Sequence, residues 1–123
     1  MLMSRKTRWL CVLLLLMFSS ACAFQEQADA KFGDQHFKTA IALIELYKIR
    51  HGSYPDTLDD LTFTGVWDAI ALNSVHYKRL GEGYQLDISR GWVGKPALSY
   101  PSDFWKGLGI IASNVGGAPH SAP

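Results

Sequence analysis

Residues 34–55 read DQHFKTAIALIELYKIRHGSYP, and this stretch decides the fold. Its apolar residues recur at spacings of three and four, which is the period of an amphipathic helix. The sequence predicts a helix from Asp34 to His51, with Asp34 as the N-terminal cap and Gly52 as a left-handed C-terminal cap before Pro55. The apolar stripe comprises Phe37, Ala40, Ile41, Ile44 and Tyr47, widened by Leu43 and Leu46.

Strand-like segments follow this helix. Residues 57–61 predict a single helical turn, and residues 63–73 fit neither period and predict a loop with short structure. Residues 75–80 and 84–89 predict a hairpin with a glycine-bearing loop, and prolines limit a third strand at 97–100 to an edge. The expected class is α+β, with one long N-terminal helix packed on a small antiparallel sheet of about three strands.

The N-terminal region, residues 1–23, has the charged, apolar and small-residue order of a secretory signal peptide. Its basic residues are Arg5, Lys6 and Arg8. The apolar run at 9–18 has ten residues, whereas a bilayer-spanning helix needs about 20. The sequence therefore predicts an exported protein, released in the periplasm or secreted.

Two fates are open at the end of the signal peptide. Ala21 and Ala23 fit the small-residue rule for cleavage before Phe24, whereas Ala21-Cys22 resembles a lipobox that would make Cys22 a lipidation site. Ser19 stands where a lipobox usually has an apolar residue, which favours release over an outer-membrane lipoprotein. Membrane contact is expected only through the signal peptide or a lipid on Cys22.

The rest of the chain predicts one domain with flanking segments. Residues 24–33 predict a polar spacer, residues 34–105 the α+β domain, and residues 106–123 a flexible tail rich in Gly and Pro. Removal of residues 1–23 leaves nine basic residues against eleven acidic ones, with no basic cluster. Nucleic-acid binding is therefore not expected, because it needs a basic face.

No residue pattern predicts a cofactor or a metal. The four histidines are scattered without the spacing of a zinc site, and the aspartates lack the pattern of a twelve-residue calcium loop. The residues considered were His36, His51, His76 and His120, with Asp56, Asp59, Asp60 and Asp68. A nucleophile motif and a phosphate loop are also missing from the sequence.

Residues 40–55, followed by Leu58 and Leu61, resemble the segment of type II secretion pseudopilins in which the long helix ends. There a Tyr-Lys pair leads through a Gly-x-Tyr-Pro turn to a short Leu-x-x-Leu helix. The hairpin at 75–89 is similar in placement to the first strands of the pilin sheet. The resemblance covers roughly residues 37–89, and it implies a pilin-like headpiece that acts by contact with other proteins.

The chain departs from pseudopilins at two places. A pseudopilin keeps its hydrophobic helix as membrane anchor and filament core, whereas the leader here is expected to be removed whole. The Asp-rich calcium loop of major pseudopilins has no match around 91–103, so no calcium ligands are carried over.

These observations predict a non-catalytic protein-interaction or assembly module of the bacterial cell envelope, without a cofactor and with an envelope protein as its partner. Aromatic residues near loops and ends either anchor that interface or complete a small core. They are Tyr54, Trp67, Trp92, Phe104 and Trp105. The alternative is a small envelope enzyme or enzyme inhibitor acting on cell-wall glycans, with Glu45, Glu82 or Asp87 at a cleft. Glu45 is otherwise expected to form a surface pair with Lys48.

Overall fold

The computed structural model describes residues 4–62 and 65–120, and it shows one long helix packed on a three-stranded sheet. In chain order the elements are α1 (Arg5–His51), α2 (Val66–Asn73), β1 (Val75–Leu80), β2 (Gly83–Ile88) and β3 (Ile110–Ala112), with 3-10 turns at Leu58–Asp60 and Ser102–Trp105. The predicted α+β class is confirmed.

Helix α1 is continuous over 47 residues and begins far earlier than predicted. Ser4 caps it, accepting a hydrogen bond from the amide of Thr7 at 3.3 Å. Asp34 therefore lies inside the helix and is not its cap. The predicted spacer at 24–33 is also helical, and Asp29 within it is buried. The prediction was wrong because it interpreted polar residues as a spacer. These residues contact a distant loop and not the apolar core.

The two halves of α1 differ in their surroundings. From residue 5 to residue 27, every side chain whose burial is described is exposed, whereas residues 28–51 carry the buried face. We call residues 5–27 the stalk, and residues 28–120 the head. By length and composition α1 could cross a membrane, and its most apolar window is not buried at all.

The core of the head forms where the predicted stripe of α1 meets the inner face of the sheet. Phe37, Ala40 and Ile44 are fully buried, as are Tyr84 and Leu86 of β2. Each large apolar side chain buried in this way contributes about 1.5–3 kcal/mol. The stripe prediction is confirmed at these positions, and of the two widening leucines Leu43 is partly buried while Leu46 remains exposed.

The predicted end of α1 is confirmed at Gly52. Its φ of 83° is left-handed, and its amide donates to the carbonyl of Lys48 at 2.8 Å. Pro55 is buried, and its carbonyl accepts a hydrogen bond from the Tyr77 hydroxyl of β1. The turn thus reverses the chain and fastens it to the sheet.

Replacing Gly52 by valine tests the left-handed cap. We expect Gly52→Val to lower the free energy of unfolding by about 1–2 kcal/mol, because a side chain resists positive φ. A Cβ at Gly52 would meet nothing within 4 Å, so the loss arises in the backbone. Urea unfolding of the full chain in mild detergent measures it.

The matched control is Gly52→Asn at the same position, since asparagine enters the left-handed region more readily than other residues with a side chain. Equal losses in the two variants would remove the capping argument.

The hairpin of β1 and β2 is antiparallel, with Tyr77 opposite Leu86, and agrees with the prediction. Residues 66–73, expected to be mostly loop, form the eight-residue helix α2. Tertiary packing decides this, because Ala71 and Leu72 are buried at its end and the carbonyl of Ile70 accepts from the Ser74 hydroxyl at 2.9 Å.

The third strand contradicts the prediction. It is Ile110–Ala112 and runs parallel to β2, which makes the sheet mixed and not antiparallel. The predicted strand at 97–100 forms only an isolated bridge, from Ser99 to Gly116.

The prediction of a mobile tail from residue 106 is wrong as far as residue 118, because Ile110 and Val115 are buried and the segment pairs with distant backbone. Residues 121–123 of that tail, and residues 1–3 of the predicted signal peptide, lie outside the described residues.

Candidate functional site

The aromatic residues predicted as interface anchors fall into two groups. Tyr54 and Trp105 are buried in the core at 7% and 6% exposure, and Phe104 is half-buried against Trp105. Because these three complete the core, the interface prediction is wrong for Tyr54 and Trp105. Trp67 and Trp92 are 73% and 51% exposed, and they are the two that remain available to a partner.

Trp67 and Trp92 line one groove at the stalk end of the head. The groove is completed by Phe32, His36, Ile70 and Arg90. His36 is buried there, and its Nδ1 has no hydrogen-bond partner among the described residues. Burial, followed by the charge of Arg90, lowers the pKa of His36, so its imidazole is neutral at pH 7. The Arg90 guanidinium is therefore the charged group among the side chains that line this groove.

The last aromatic residue of the stalk contacts this groove. Phe24 packs edge-on against Trp92, with ring centroids 6.0 Å apart and an interplanar angle of 86°. This geometry is favourable for an aromatic pair. Phe24 nevertheless stays 62% exposed, so stalk and groove share one continuous apolar surface. This role of Phe24 could not be predicted from the sequence, because nothing near Phe24 in the chain indicates a contact with Trp92.

The loop that carries Trp92 is fixed by a carboxylate of α1. The Oδ1 atom of Asp29 accepts hydrogen bonds from the amides of Trp92, Val93 and Gly94, at 2.9, 2.6 and 3.0 Å. Gly91 lets the loop approach, since a Cβ there would collide with the backbone of Asp29. These bonds, that of Val93 first, lower the pKa of Asp29 below its usual 3.8. In the sequence, the spacing of Gly91 and Gly94 indicates a tight turn. It does not indicate that this turn contacts Asp29.

Removing this carboxylate changes the acid stability of the head. A lowered pKa in the folded state means that Asp29 stabilises the fold above pH 4 and loses this effect as the pH falls further. We expect the urea midpoint of Asp29→Asn to lie below that of the wild type at pH 7 and to fall less between about pH 5 and pH 3. The difference in fluorescence between each protein and its Trp92→Phe variant reports the loop in the same titration, because the chain has four tryptophans.

Asp103→Asn is the control, because it removes an exposed carboxylate that pairs with Lys106 at the surface. An acid dependence that is the same in wild type and Asp29→Asn would exclude the loop-fixing role of Asp29.

Glu45, a candidate catalytic carboxylate, is instead the centre of a structural hydrogen-bond network. Its Oε1 accepts from the Tyr84 hydroxyl and the Gly109 amide, each at 2.9 Å, and its Oε2 accepts from the Tyr54 hydroxyl at 2.9 Å. The predicted surface pair with Lys48 is not formed. Lys48 donates to the Gly52 carbonyl at 2.8 Å.

The tyrosines around Glu45 have unusual acidities. Burial first, and then the Glu45 carboxylate, raise the pKa of Tyr54 to about 12 and raise that of Tyr84 further. Both hydroxyls therefore keep their protons at neutral pH and can donate to Glu45. A tyrosine hydroxyl with a raised pKa is a poor acid near neutrality, which agrees with a structural role.

Glu45→Gln tests whether the network holds the fold. We expect a loss of about 1–3 kcal/mol in the free energy of unfolding, because a neutral amide cannot accept from all three donors and leaves a buried one unpaired. Urea unfolding at pH 7 measures the loss.

Glu82→Gln, at the exposed hairpin turn, should leave the midpoint unchanged. A Glu45→Gln protein as stable as the wild type would exclude the network as a determinant of the fold.

The carboxylates considered for glycan cleavage do not converge. Glu45 meets the inner face of the sheet through Tyr84, whereas Asp87 lies on the opposite face of β2 and accepts from the Asn114 amide at 2.8 Å. Side chains an odd number of residues apart in a strand point to opposite faces. Glu82 is at the exposed turn.

The aspartates that follow α1 form local hydrogen bonds and an ion pair. Asp60 accepts from the amides of Asp56 and Thr57, and Asp56 pairs with Arg79 at 2.6 Å. Within residues 4–62 and 65–120 no group of three His, Cys, Asp or Glu side chains is placed to hold a metal ion. The structure thus provides no cluster there on which to build a metal site.

The candidate lipidation site lies in the stalk. Cys22 is exposed and unpaired, as is Cys11. Cys22 stands two residues before Phe24, about 3 Å away along the helix axis and on the opposite face of the helix.

Comparison of this chain with protein-family models, curated proteins and solved structures finds no match in any of the three. The pilin-like interpretation therefore depends on the motif at residues 40–61 and on the arrangement of helix and sheet.

Proposed function

We propose that this protein is an exported, non-catalytic interaction or assembly module of the bacterial cell envelope, with a pilin-like head. The observation that carries the proposal is the division of α1 into an exposed apolar stalk and a packed half within one unbroken helix. A soluble domain rarely leaves such a surface uncovered, because exposed apolar area of this size marks an interaction site.

The order of charges along the stalk supports export. Arg5, Lys6 and Arg8 precede the apolar run, and basic residues remain on the cytoplasmic side during insertion. The head that follows is then translocated. The motif at residues 40–61, which resembles that of pseudopilins, stands where α1 leaves the sheet, and this placement supports the pilin-like assignment.

The unbroken helix also bears on the fate of the leader. If residues 5–23 are kept, they form an anchor that leads directly into the head, as in pseudopilins. If the chain is cut before Phe24 or acylated at Cys22, the remaining helix still begins at the aromatic groove. Each form presents the same head.

The alternative, an envelope enzyme acting on glycans, requires two carboxylates at one cleft. Glu45 is held by two tyrosines and an amide, and Asp87 lies on the other face of the sheet. No observation favours this alternative over the interaction module.

The test is to locate the head and its contacts in the bacterium that encodes the chain. We expect the protein in the envelope or periplasm, with the head digested by protease added to spheroplasts. A photo-crosslinking amino acid at Lys78, on the exposed outer face of β1, should give one discrete heavier species. Intact mass of the recovered chain then shows whether it begins at Phe24, begins at an acylated Cys22 or keeps the stalk.

The control position is Asp59, which is exposed in the 3-10 turn away from the sheet. A protease-protected head in the cytoplasm would refute export. An identical ladder of products from both positions would show random encounters in place of a specific interface.

A further inference from the structure

The stalk end of the head carries an unusual set of exposed apolar side chains. Val66 and Trp67 begin α2 and are 75% and 73% exposed, and Trp92 and Val93 in the loop after β2 are 51% and 62% exposed. Together with Phe24 of the stalk, we call these residues the aromatic edge. Phe24 and Trp92 are in contact, so the aromatic edge is continuous with the apolar surface of the stalk.

The length of the stalk agrees with a bilayer next to this edge. From Trp9 to Gln25 the helix contains no charged residue. At 1.5 Å per residue this stretch is about 26 Å long, close to the hydrocarbon thickness of about 30 Å. The run of ten apolar residues ends at Phe18, but the helix remains uncharged as far as the aromatic edge. An acyl chain on Cys22 would bring the same edge to the membrane, because Cys22 is about 3 Å from Phe24 along the helix axis.

The aromatic edge is also held in position. The three amide bonds to Asp29 fix the backbone of Trp92, Val93 and Gly94, so the side chains of Trp92 and Val93 project from a backbone that is already ordered. A surface that is already ordered loses less conformational entropy on binding. Tryptophan is the residue that proteins place at the level of lipid headgroups, because its ring is apolar and its N–H is polar.

Charges near the edge favour an anionic surface. Arg90 borders the groove beside Trp92, and Lys95 follows the loop; both are exposed. Glu26 of the stalk and Asp29 line a surface with Lys95, and of these two acids Glu26 is exposed whereas Asp29 is buried under its bonds to the loop amides. Two exposed cations against the one exposed anion of this surface complement the headgroups of anionic phospholipids.

We propose that the aromatic edge docks on the headgroup region of a phospholipid bilayer and fixes the head against the membrane that holds the stalk. The partner is thus an anionic lipid surface, and Trp67 and Trp92 are its anchors. The inference rests on the proposed envelope location, since only an exported and anchored chain meets such a surface with its head.

The experiment is tryptophan quenching in vesicles of phosphatidylcholine and phosphatidylglycerol whose acyl chains carry bromine near the headgroup. The full chain is reconstituted as Trp9→Phe, so that Trp67, Trp92 and the buried Trp105 remain. We expect about half of the emission to be lost relative to unbrominated vesicles, because two of the three indoles lie at the interface. The loss should become smaller in the variants that also carry Trp67→Phe or Trp92→Phe.

Two controls make a negative result informative. The difference in quenching between the wild type and Trp9→Phe reports the quenching of Trp9 and hence insertion of the stalk. Circular dichroism verifies that each variant is folded. The variant with all three changes, Trp9→Phe, Trp67→Phe and Trp92→Phe, keeps Trp105 in the core and sets the background.

Quenching of the Trp9→Phe protein no greater than this background, with the stalk inserted, would overturn the inference. A second outcome would also overturn it: tryptophan emission that is not quenched by brominated lipid but shifts to the blue as the protein-to-lipid ratio rises. This result would mean that the aromatic edge contacts a second copy of the chain.

The outcome is separable from that of the proposed function. A mature chain that begins at Phe24 without an acyl group would remove the anchor and overturn the membrane contact, while the exported interaction module stands. A head found in the cytoplasm would refute the proposed function even where vesicles quench Trp67 and Trp92.

Discussion

The fold depends first on the carboxylate of Glu45, which joins α1 to three separate parts of the chain. Tyr54 belongs to the turn after α1, Tyr84 to the central strand, and Gly109 to the segment that enters β3. Each donor is removed from water by folding and needs an acceptor. One side chain of α1 supplies this acceptor for all of them, so the position of the helix on the sheet is set at this point.

Two further carboxylates, closer to the N-terminus of α1, also accept hydrogen bonds from later parts of the chain. Asp34 accepts from the Tyr100 hydroxyl at 2.6 Å, and Asp29 accepts from the loop at residues 92–94. The acids of α1 thus bind segments that follow far later in the chain. The helix is the scaffold to which irregular segments are fastened, and this explains how a sheet of three short strands holds together.

The same arrangement separates the functions of the two halves of α1. Asp29 fixes α1 to the head by hydrogen bonds, and before it every described side chain from residue 5 to residue 27 is exposed, with an apolar run from Trp9 to Phe18. The loop tied to Asp29 carries Trp92, and Phe24 contacts this ring. Stalk, aromatic edge and core are therefore linked by one rigid element, which relates the orientation of the head to whatever holds the stalk.

The sequence by itself determined the elements that local chemistry specifies. The apolar spacing of residues 37–47 specified the buried face of α1, Gly52 its left-handed end, and the alternation in residues 84–88 the central strand. These features depend on neighbours within a few residues, so their patterns can be recognised in the sequence without knowledge of the fold. The N-terminal extent of α1 was missed, because polar residues at 24–33 resemble a spacer when their contact with residues 91–94 is unknown.

Only the tertiary structure decided which side chains meet across the chain. Ile110 lies in a glycine-rich segment and becomes a strand because the backbone of β2 pairs with it. Glu45 and Asp29 looked like surface acids, and donors more than sixty residues away in the chain, such as the amides of Gly109 and Trp92, make them structural acceptors, with Asp29 buried and Glu45 half-buried. Of five candidate aromatics, Trp67 and Trp92 stay exposed, since the core takes Tyr54 and Trp105. Such contacts carry no local period, and they exist only once the chain has closed on itself.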